Sequence, residues 1–430
     1  MFLKSNKKFR IIVGLFFITA STLLLFWALS DLKLSGKDTG LKEVSEIRSS
    51  LAQQLGPFFQ QNKFPTEAEI EWYGSLKKAH LTYTIDNSLQ NRALKLIQSY
   101  RPDFAAVVIL DADTGAVKAM ASYQKGASEV ENLNLRSSFP AASIFKIVTA
   151  TAAIDKKNLD PDHIVLFNGQ NHTLYKKNVM SPKINRWTRE MTLEEAFAKS
   201  VNTVFGRISL ENLDPSDLKE YAIRFGFNKH IESDLPFDPG FASIPEDKSY
   251  QLTEAASGFN RLTTMSPIQG AMIAASIANE GVMKVPYVVD HIKDTNGKVL
   301  FSSEPVVAAI TMNKTGAEKL KKLMSATITK GTSKKSFLPF LRDRKVNDIE
   351  VGGKTGSITG GDPKGKVDWF VGYAIGDTEK LAIAAVTVNV KYWTVKSSYL
   401  AQSLFKSYFK NLELSQRTFS SQSPSAEVKN

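Results

Sequence analysis

The 430-residue sequence has no cysteine, which excludes disulfide scaffolds, thiolate metal sites and cysteine nucleophiles. Histidine is scarce. The five residues, His80, His163, His172, His230 and His291, include no pair at HExxH spacing and none beside an evident nucleophile, so structural or surface roles are expected for them. Neither GxxxxGK[ST] nor GxGxxG occurs, so phosphate-cradling loops are not supported. A long Lys/Arg run is missing too. The formal charge is +12, from 55 basic and 43 acidic residues, and residues 1–40 supply +4 of it with six basic and two acidic groups. So diffuse an excess does not imply a nucleic-acid partner. What is present, 43% apolar residues including 10% aromatics, suffices for a sizeable core and rules out global disorder. The length allows two or three domains, or one large domain with an appendage.

Residues 11–29, IIVGLFFITASTLLLFWAL, form an uncharged stretch of 19 residues. As a helix it would be about 28 Å long, close to the hydrocarbon thickness of a bilayer. Lys4, Lys7, Lys8 and Arg10 precede it without an acidic residue among them. The positive-inside rule then places residues 1–10 in the cytoplasm and the remainder outside, as a single-pass protein of the cytoplasmic membrane. A cleaved signal peptide is the alternative, with Ala28-Leu29-Ser30 at a suitable site, but the run is long for that purpose. Residues 30–80 read as a stalk or linker with a short helical piece over 66–78. A mixed globular domain follows over 81–414, and the polar, Ser-rich residues 415–430 read as a disordered tail. Apolar runs at 105–111 and 116–122, joined by Asp-Ala-Asp-Thr-Gly, predict a hairpin. Helices are expected over 143–155, 193–199, 267–279 and 316–329, and strands over 348–352, 367–375 and 381–390. The five β-runs can share one sheet with helices between them.

With cysteine and histidine set aside, serine and lysine remain for chemistry. Ser143-Ile144-Phe145-Lys146 is one of several Ser-x-x-Lys tetrads, but only it opens a strongly apolar helical run, IFKIVTATAA. A lysine three residues on lies one turn away on the same face. Embedded there, its ammonium loses hydration, and the neutral amine needed to take a proton from Ser143 is favoured. On the tetrad alone, an amphipathic helix whose lysine snorkels to solvent is the competing account. Ser200-Val201-Asn202 follows a helix with Thr192 and Glu195 at capping-box spacing. It offers a hydroxyl that can relay a proton and an amide that can hold a carbonyl, although taken by itself a helix cap or turn is the favoured account. Lys-Thr-Gly occurs twice. Residues 314–316 precede an amphipathic helix and read as its start. Lys354-Thr355-Gly356-Ser357 continues a strand, where a Lys/Thr pair can grip a carboxylate and the glycine leaves room for a peptide backbone.

In this order the three elements resemble the transpeptidase domain of penicillin-binding proteins, a family whose motif set is well known. The flanks resemble it over most of 81–410: YTIDNSLQNRAL at Tyr83, VVILDADTGAVKAMAS at Val107, MTLEEAFAKSVNT at Met191, SPIQGAMIAASIANEG at Ser266, GTS at Gly331 and DWFVGYA at Asp368. The resemblance implies an α+β fold: a five-stranded, mostly antiparallel sheet flanked by helices, plus a helical subdomain, with the active serine between the two parts. It implies that Ser143 attacks the penultimate D-Ala carbonyl of a peptidoglycan stem peptide and forms an acyl-enzyme. Lys146 would be the general base, Ser200 would pass the proton to the leaving amine, and Asn202 would contact the peptide. Lys354 and Thr355 would bind the terminal carboxylate beside Gly356, and the main-chain N–H groups of Ser143 and Ser357 would form the oxyanion hole. β-Lactams would acylate the same serine, and no metal or organic cofactor is implied. A monofunctional enzyme is expected, with other wall-synthesis proteins such as a glycosyltransferase as further partners. Two positions depart from the family pattern: Ser357 stands where threonine is commoner, and Ser257-Gly258-Phe259-Asn260 is less glycine-rich than usual. A serine hydrolase on the same fold (a D,D-carboxypeptidase or a β-lactamase) and a non-enzymatic β-lactam sensor or scaffold are the alternative readings.

Overall fold

The computed structural model describes residues 42–422. The run read as an anchor, 11–29, lies outside the described residues, and among the described residues no helix is long and apolar enough to cross a membrane. The fold is α+β. Strands Glu350–Gly360, Gly365–Ile375, Lys380–Asn389, Phe104–Asp111 and Val117–Gln124 lie side by side in that order. Each is antiparallel to its neighbour, so the first two β-runs and the last three do share one sheet.

Alternate side chains of a strand face opposite sides. Ala106, Val108 and Leu110 therefore join one core with helix Pro267–Ala278. Ala105, Val107 and Ile109 join another with helices Asn87–Tyr100 and Ser397–Gln422. Because both faces are covered, the strand is apolar along its whole length. Helix Pro267–Ala278 is buried all round, as its predominantly apolar sequence demands. Ser266 caps it and Pro267 opens it. Of its two polar side chains, Ser276 donates to the Ile273 carbonyl at 2.9 Å and Gln269 Nε2 to the Phe225 carbonyl at 3.2 Å, while Gln269 Oε1 is buried with no partner among the described residues.

The segment expected as a single helix over 143–155 is a composite. A 3-10 turn, Ala142–Phe145, leads into α-helix Lys146–Thr151 and a wider π turn, Ala152–Lys156. Helices Asn202–Glu211, Pro215–Arg224 and Tyr250–Ser257 pack against this segment and, with Leu193–Ala198, form the helical part.

Two boundaries of the sequence reading are corrected. Residues 42–80 are not a stalk. Residues 42–59 are helical, and strands Glu67–Trp72 and Ser75–Tyr83 form a hairpin where a helical piece was expected. Glu67, Glu69 and Glu71 alternate with Ala68, Ile70 and Trp72, which is a strand period. Tyr73 and Gly74, at φ 47° and 77°, make the two-residue turn between them. The hairpin joins Val289–Asp294 and Val299–Ser302 in a second sheet of four strands. Leu51, Leu55 and Phe59 of the preceding helix are buried in the main core, each stabilising this docking by about 2 kcal/mol. Residues 415–422 are not a disordered tail, because helix Ser397–Gln422 runs through them. Residues 423–430 lie outside the described residues.

Candidate active site

A cleft of about 840 Å³ opens between strand Glu350–Gly360 and the helical part, and Ser143, Ser200, Asn202, Thr355 and Ser357 all line it. Ser143 sits in the 3-10 turn just after Ala142, whose φ is +49°. Side chains three residues apart eclipse one another in a 3-10 turn. Lys146 Nζ is accordingly 2.9 Å from Ser143 Oγ. Lys146 is fully buried (0% exposed). Its Nζ also donates to Asn202 Oδ1 at 2.7 Å and to the Ser257 carbonyl, and it lies 5.6 Å from the Phe205 ring centroid. Burial, and then the positive charge of Lys354, hold its pKa well below the ordinary lysine value. A neutral amine has two N–H groups and one lone pair. Asn202 and Ser257 take the two N–H groups, which leaves the lone pair for the Ser143 hydroxyl.

The second motif lies on the turn between helices Leu193–Ala198 and Asn202–Glu211. Thr192 caps the first of these helices, its side chain accepting from Glu195 N at 3.2 Å. Ser200 occupies the left-handed region at φ 57°, a conformation costing a non-glycine residue about 1–2 kcal/mol. Its Oγ accepts from Lys354 Nζ at 2.9 Å. Asn202 is held from the other side, its Nδ2 donating to the His172 carbonyl at 3.0 Å.

Lys354, Thr355, Gly356 and Ser357 lie within strand Glu350–Gly360, on the edge of the sheet that faces the nucleophile turn. Lys354 is buried, donates also to the Thr355 carbonyl at 2.9 Å, and stands 5.4 Å from the Phe197 ring centroid. Burial lowers its pKa to about 7. A Cβ on Gly356 would approach Ser143 N and Ile144 Cγ1 to 3.2 Å, so glycine is what lets this strand lie against the turn. The exposed Ser357 hydroxyl is turned to Asp368 across the strand pair, at 2.9 Å.

All eight residues singled out from the sequence are thus gathered around one cleft. The other Lys-Thr-Gly is where the sequence placed it: Asn313 caps helix Lys314–Thr329 by accepting from Gly316 N at 2.7 Å, and Lys314 pairs with Glu280 on the surface. Sequence reasoning missed several contributors. Thr332 Oγ1 lies 2.6 Å from Thr355 Oγ1, and the GTS at 331–333 was its only sequence signal. The main-chain acceptors of Ser257 and His172 carry no signal at all, because any residue supplies a carbonyl. Glu254, from helix Tyr250–Ser257, also lines the cleft without belonging to a motif. His172, expected to be structural or on the surface, borders the cleft as well.

The model of the penicillin binding protein transpeptidase domain matches residues 105–410. Stage V sporulation protein D of Bacillus subtilis is 24% identical over 355 residues, 76% of this chain and 52% of that protein. Peptidoglycan D,D-transpeptidase PbpA of Mycolicibacterium smegmatis is 26% identical over 204 residues, 46% of this chain and 38% of that protein. The chain spans about half the length of these curated relatives or less. Among solved structures, the D,D-transpeptidase domain of a peptidoglycan glycosyltransferase from Eggerthella lenta aligns at a TM-score of 0.64 with 25% identity, covering 78% of this chain and 84% of that one. The family model covers well over half of the chain, along the same stretch that carries the cleft and its three motifs, and the chain belongs to the penicillin-binding protein transpeptidase domain family.

Proposed function

We propose that this protein is a serine D,D-transpeptidase that cross-links peptidoglycan stem peptides through an acyl-Ser143 intermediate. One observation carries the reading: a fully buried lysine amine 2.9 Å from a cleft-facing serine hydroxyl, with its remaining N–H groups already engaged. Lys146 takes the Ser143 proton as Oγ attacks the penultimate D-Ala carbonyl. The main-chain N–H groups of Ser143 and Ser357 receive the oxyanion. Lys146 and Ser200 return the proton to the departing amine, and the C–N bond breaks to release D-Ala. Lys354, Thr355 and, behind it, Thr332 hold the terminal carboxylate of the donor. An amine from a second stem peptide then displaces Ser143.

A β-lactam presents a strained amide and a carboxylate to the same groups and would remain on Ser143. The uncharged run 11–29 behind four basic residues supports a single-pass anchor with the domain outside the cytoplasm. Protease treatment of intact cells and of spheroplasts tests that placement, and a domain protected in both would refute it. The reaction is tested by labelling the full chain with a fluorescent penicillin beside Ser143→Ala. A lasting adduct on the parent and none on the variant is expected. Rapid drug loss without a lasting adduct would make the chain a β-lactamase instead, and neither adduct nor drug loss on folded protein would remove the enzyme reading.

A further inference from the structure

Among the described residues, Glu254 is the one acidic residue lining the cleft. It lies one helical turn before Gly258, which touches the nucleophile turn: a Cβ on Gly258 would meet the Ala142 carbonyl and lie 3.1 Å from Ser143 N. The Glu254 main-chain carbonyl is already spent on Phe259 N at 2.8 Å. What Glu254 offers the cleft is therefore its carboxylate. That carboxylate is half-buried, and among the described residues it has neither a hydrogen-bond donor nor an ion-pair partner. The basic side chains of the site have other partners. Lys146 donates to Asn202 and Ser257, Lys354 to Ser200 and Thr355, and Arg261 Nε to the Thr359 carbonyl at 2.6 Å. Burial without a partner pushes the Glu254 pKa up. A carboxylate desolvated at a reaction cleft without compensation is unfavourable in the free protein. It becomes favourable once a cation arrives, and transpeptidation needs a second substrate that arrives as an ammonium.

We propose that Glu254 binds the acceptor amine of the cross-linking reaction and takes its proton. The assignment rests on the transpeptidase reading above and names the group that serves its second half. The acceptor R–NH3+ gives one proton to the Glu254 carboxylate. The freed lone pair attacks the acyl-Ser143 carbonyl, forming the C–N bond. As the tetrahedral intermediate collapses, the C–Oγ bond breaks, and the second proton passes from the nitrogen through Lys146 to Ser143 Oγ. The product is an amide, Ser143 is restored, and Glu254 returns its proton to solvent.

The test uses the full chain, a thioester donor that acylates Ser143, and a short C-terminally amidated peptide bearing one side-chain primary amine as acceptor. Transfer to the amine and release by water are measured together. In Glu254→Gln the ratio of amine transfer to hydrolysis is expected to fall about 100-fold, the size of a general-base contribution, and Glu254→Asp should recover part of the loss. Penicillin labelling of each variant reports folding and acylation independently of the acceptor. A ratio in Glu254→Gln within roughly threefold of the parent, well short of a general-base effect, would overturn the assignment. So would equal losses of hydrolysis and amine transfer, or an aspartate variant no better than the glutamine one. A parent chain that neither takes the label nor consumes the thioester would sink the transpeptidase reading itself, an outcome distinct from these.

Discussion

Gly258 is where one added carbon should do the most damage to catalysis. It ends helix Tyr250–Ser257 in the left-handed region at φ 62°, and its absent Cβ would stand 1.9 Å from the Ala142 carbonyl oxygen and 2.5 Å from its carbon. Both are main-chain atoms and cannot rotate away. Restoring an ordinary contact of 3.4 Å requires the helix end and the nucleophile turn to separate by about 1.5 Å. Ser143 is the next residue in that turn, and Lys146 takes its third contact from the neighbouring Ser257 carbonyl. Misplacing reacting groups by 1 Å costs about 100-fold in rate, or about 2.7 kcal/mol in the barrier. Gly258→Ala should therefore lower the second-order rate constant for penicillin acylation by about 100-fold or more. Left-handed strain of about 1 kcal/mol and overpacking of about 1–3 kcal/mol should also appear as lost stability. Gly74→Ala separates the two effects: Gly74 is also left-handed, at φ 77°, but nothing lies within 4 Å of its Cβ position. That variant should lose about 1 kcal/mol of stability and acylate at the parental rate. The assay is time-resolved labelling with a fluorescent penicillin, beside thermal unfolding of each variant. Acylation of Gly258→Ala within about threefold of the parent, far from the loss expected of a displaced nucleophile, would refute the argument that this contact sets the nucleophile's position.

Other predictions concern charge and anchoring. Lys354 titrates at about 7 in the folded chain against an ordinary 10.5. The unfolded chain therefore binds more protons between these values, and this lysine's contribution makes stability rise with pH across that window. The same deprotonation should weaken binding of carboxylate-bearing donors as pH rises through about 7, while a donor lacking the carboxylate shows no such rise in KM. Thr332→Val removes a hydroxyl 2.6 Å from Thr355. A loss of about 1 kcal/mol, a fivefold rise in KM for the carboxylate donor with kcat little changed, is expected. Ser357→Ala should acylate within about threefold of the parent, because the proposed oxyanion donor is main chain and its hydroxyl is tied to Asp368. Arg48, 1% exposed, donates to the Glu304 carbonyl at 2.7 Å and lies 4.7 Å from the Tyr287 ring centroid, tying helix 42–59 to the domain. Arg48→Ala should lose about 1.5 kcal/mol, the order of one hydrogen bond from a charged group, read by thermal unfolding, with penicillin acylation retained.

The central sheet was legible because its chemistry is local and repeated. Continuous apolar strands, turn residues between them and a predominantly apolar helix at 267–278 each announce themselves within ten or so residues. The hairpin at 67–83 carries a local signal, the alternation of Glu67, Glu69 and Glu71 with Ala68, Ile70 and Trp72, but a helical piece was expected there. That the hairpin pairs with strand Val289–Asp294 in a second sheet, beside a helix from residues 42–59, is a long-range fact that no local pattern carries. The anchor read at 11–29 remains a sequence expectation.

The site divides along the same line. From the sequence came the residue types and their order: a serine and lysine three apart, a serine and asparagine two apart, and a lysine, threonine and glycine on a strand. Spacing of three or four residues is a property of one helical turn, so the Ser143–Lys146 pairing was determined before any tertiary contact. Which of two Lys-Thr-Gly tripeptides meets that pair was decided by sheet order, which places residues 354–356 at the edge beside the 3-10 turn and leaves 314–316 at a capped helix start. Tertiary structure alone decided the electrostatics. Lys146 and Lys354 lie 208 positions apart, and burial lowers both only because the sheet and the helical part close over them. It also placed Glu254, which no motif contains, in the lining of the cleft. Desolvation depends on what packs around a charge from all sides, and a linear sequence specifies only the neighbours on either side of it.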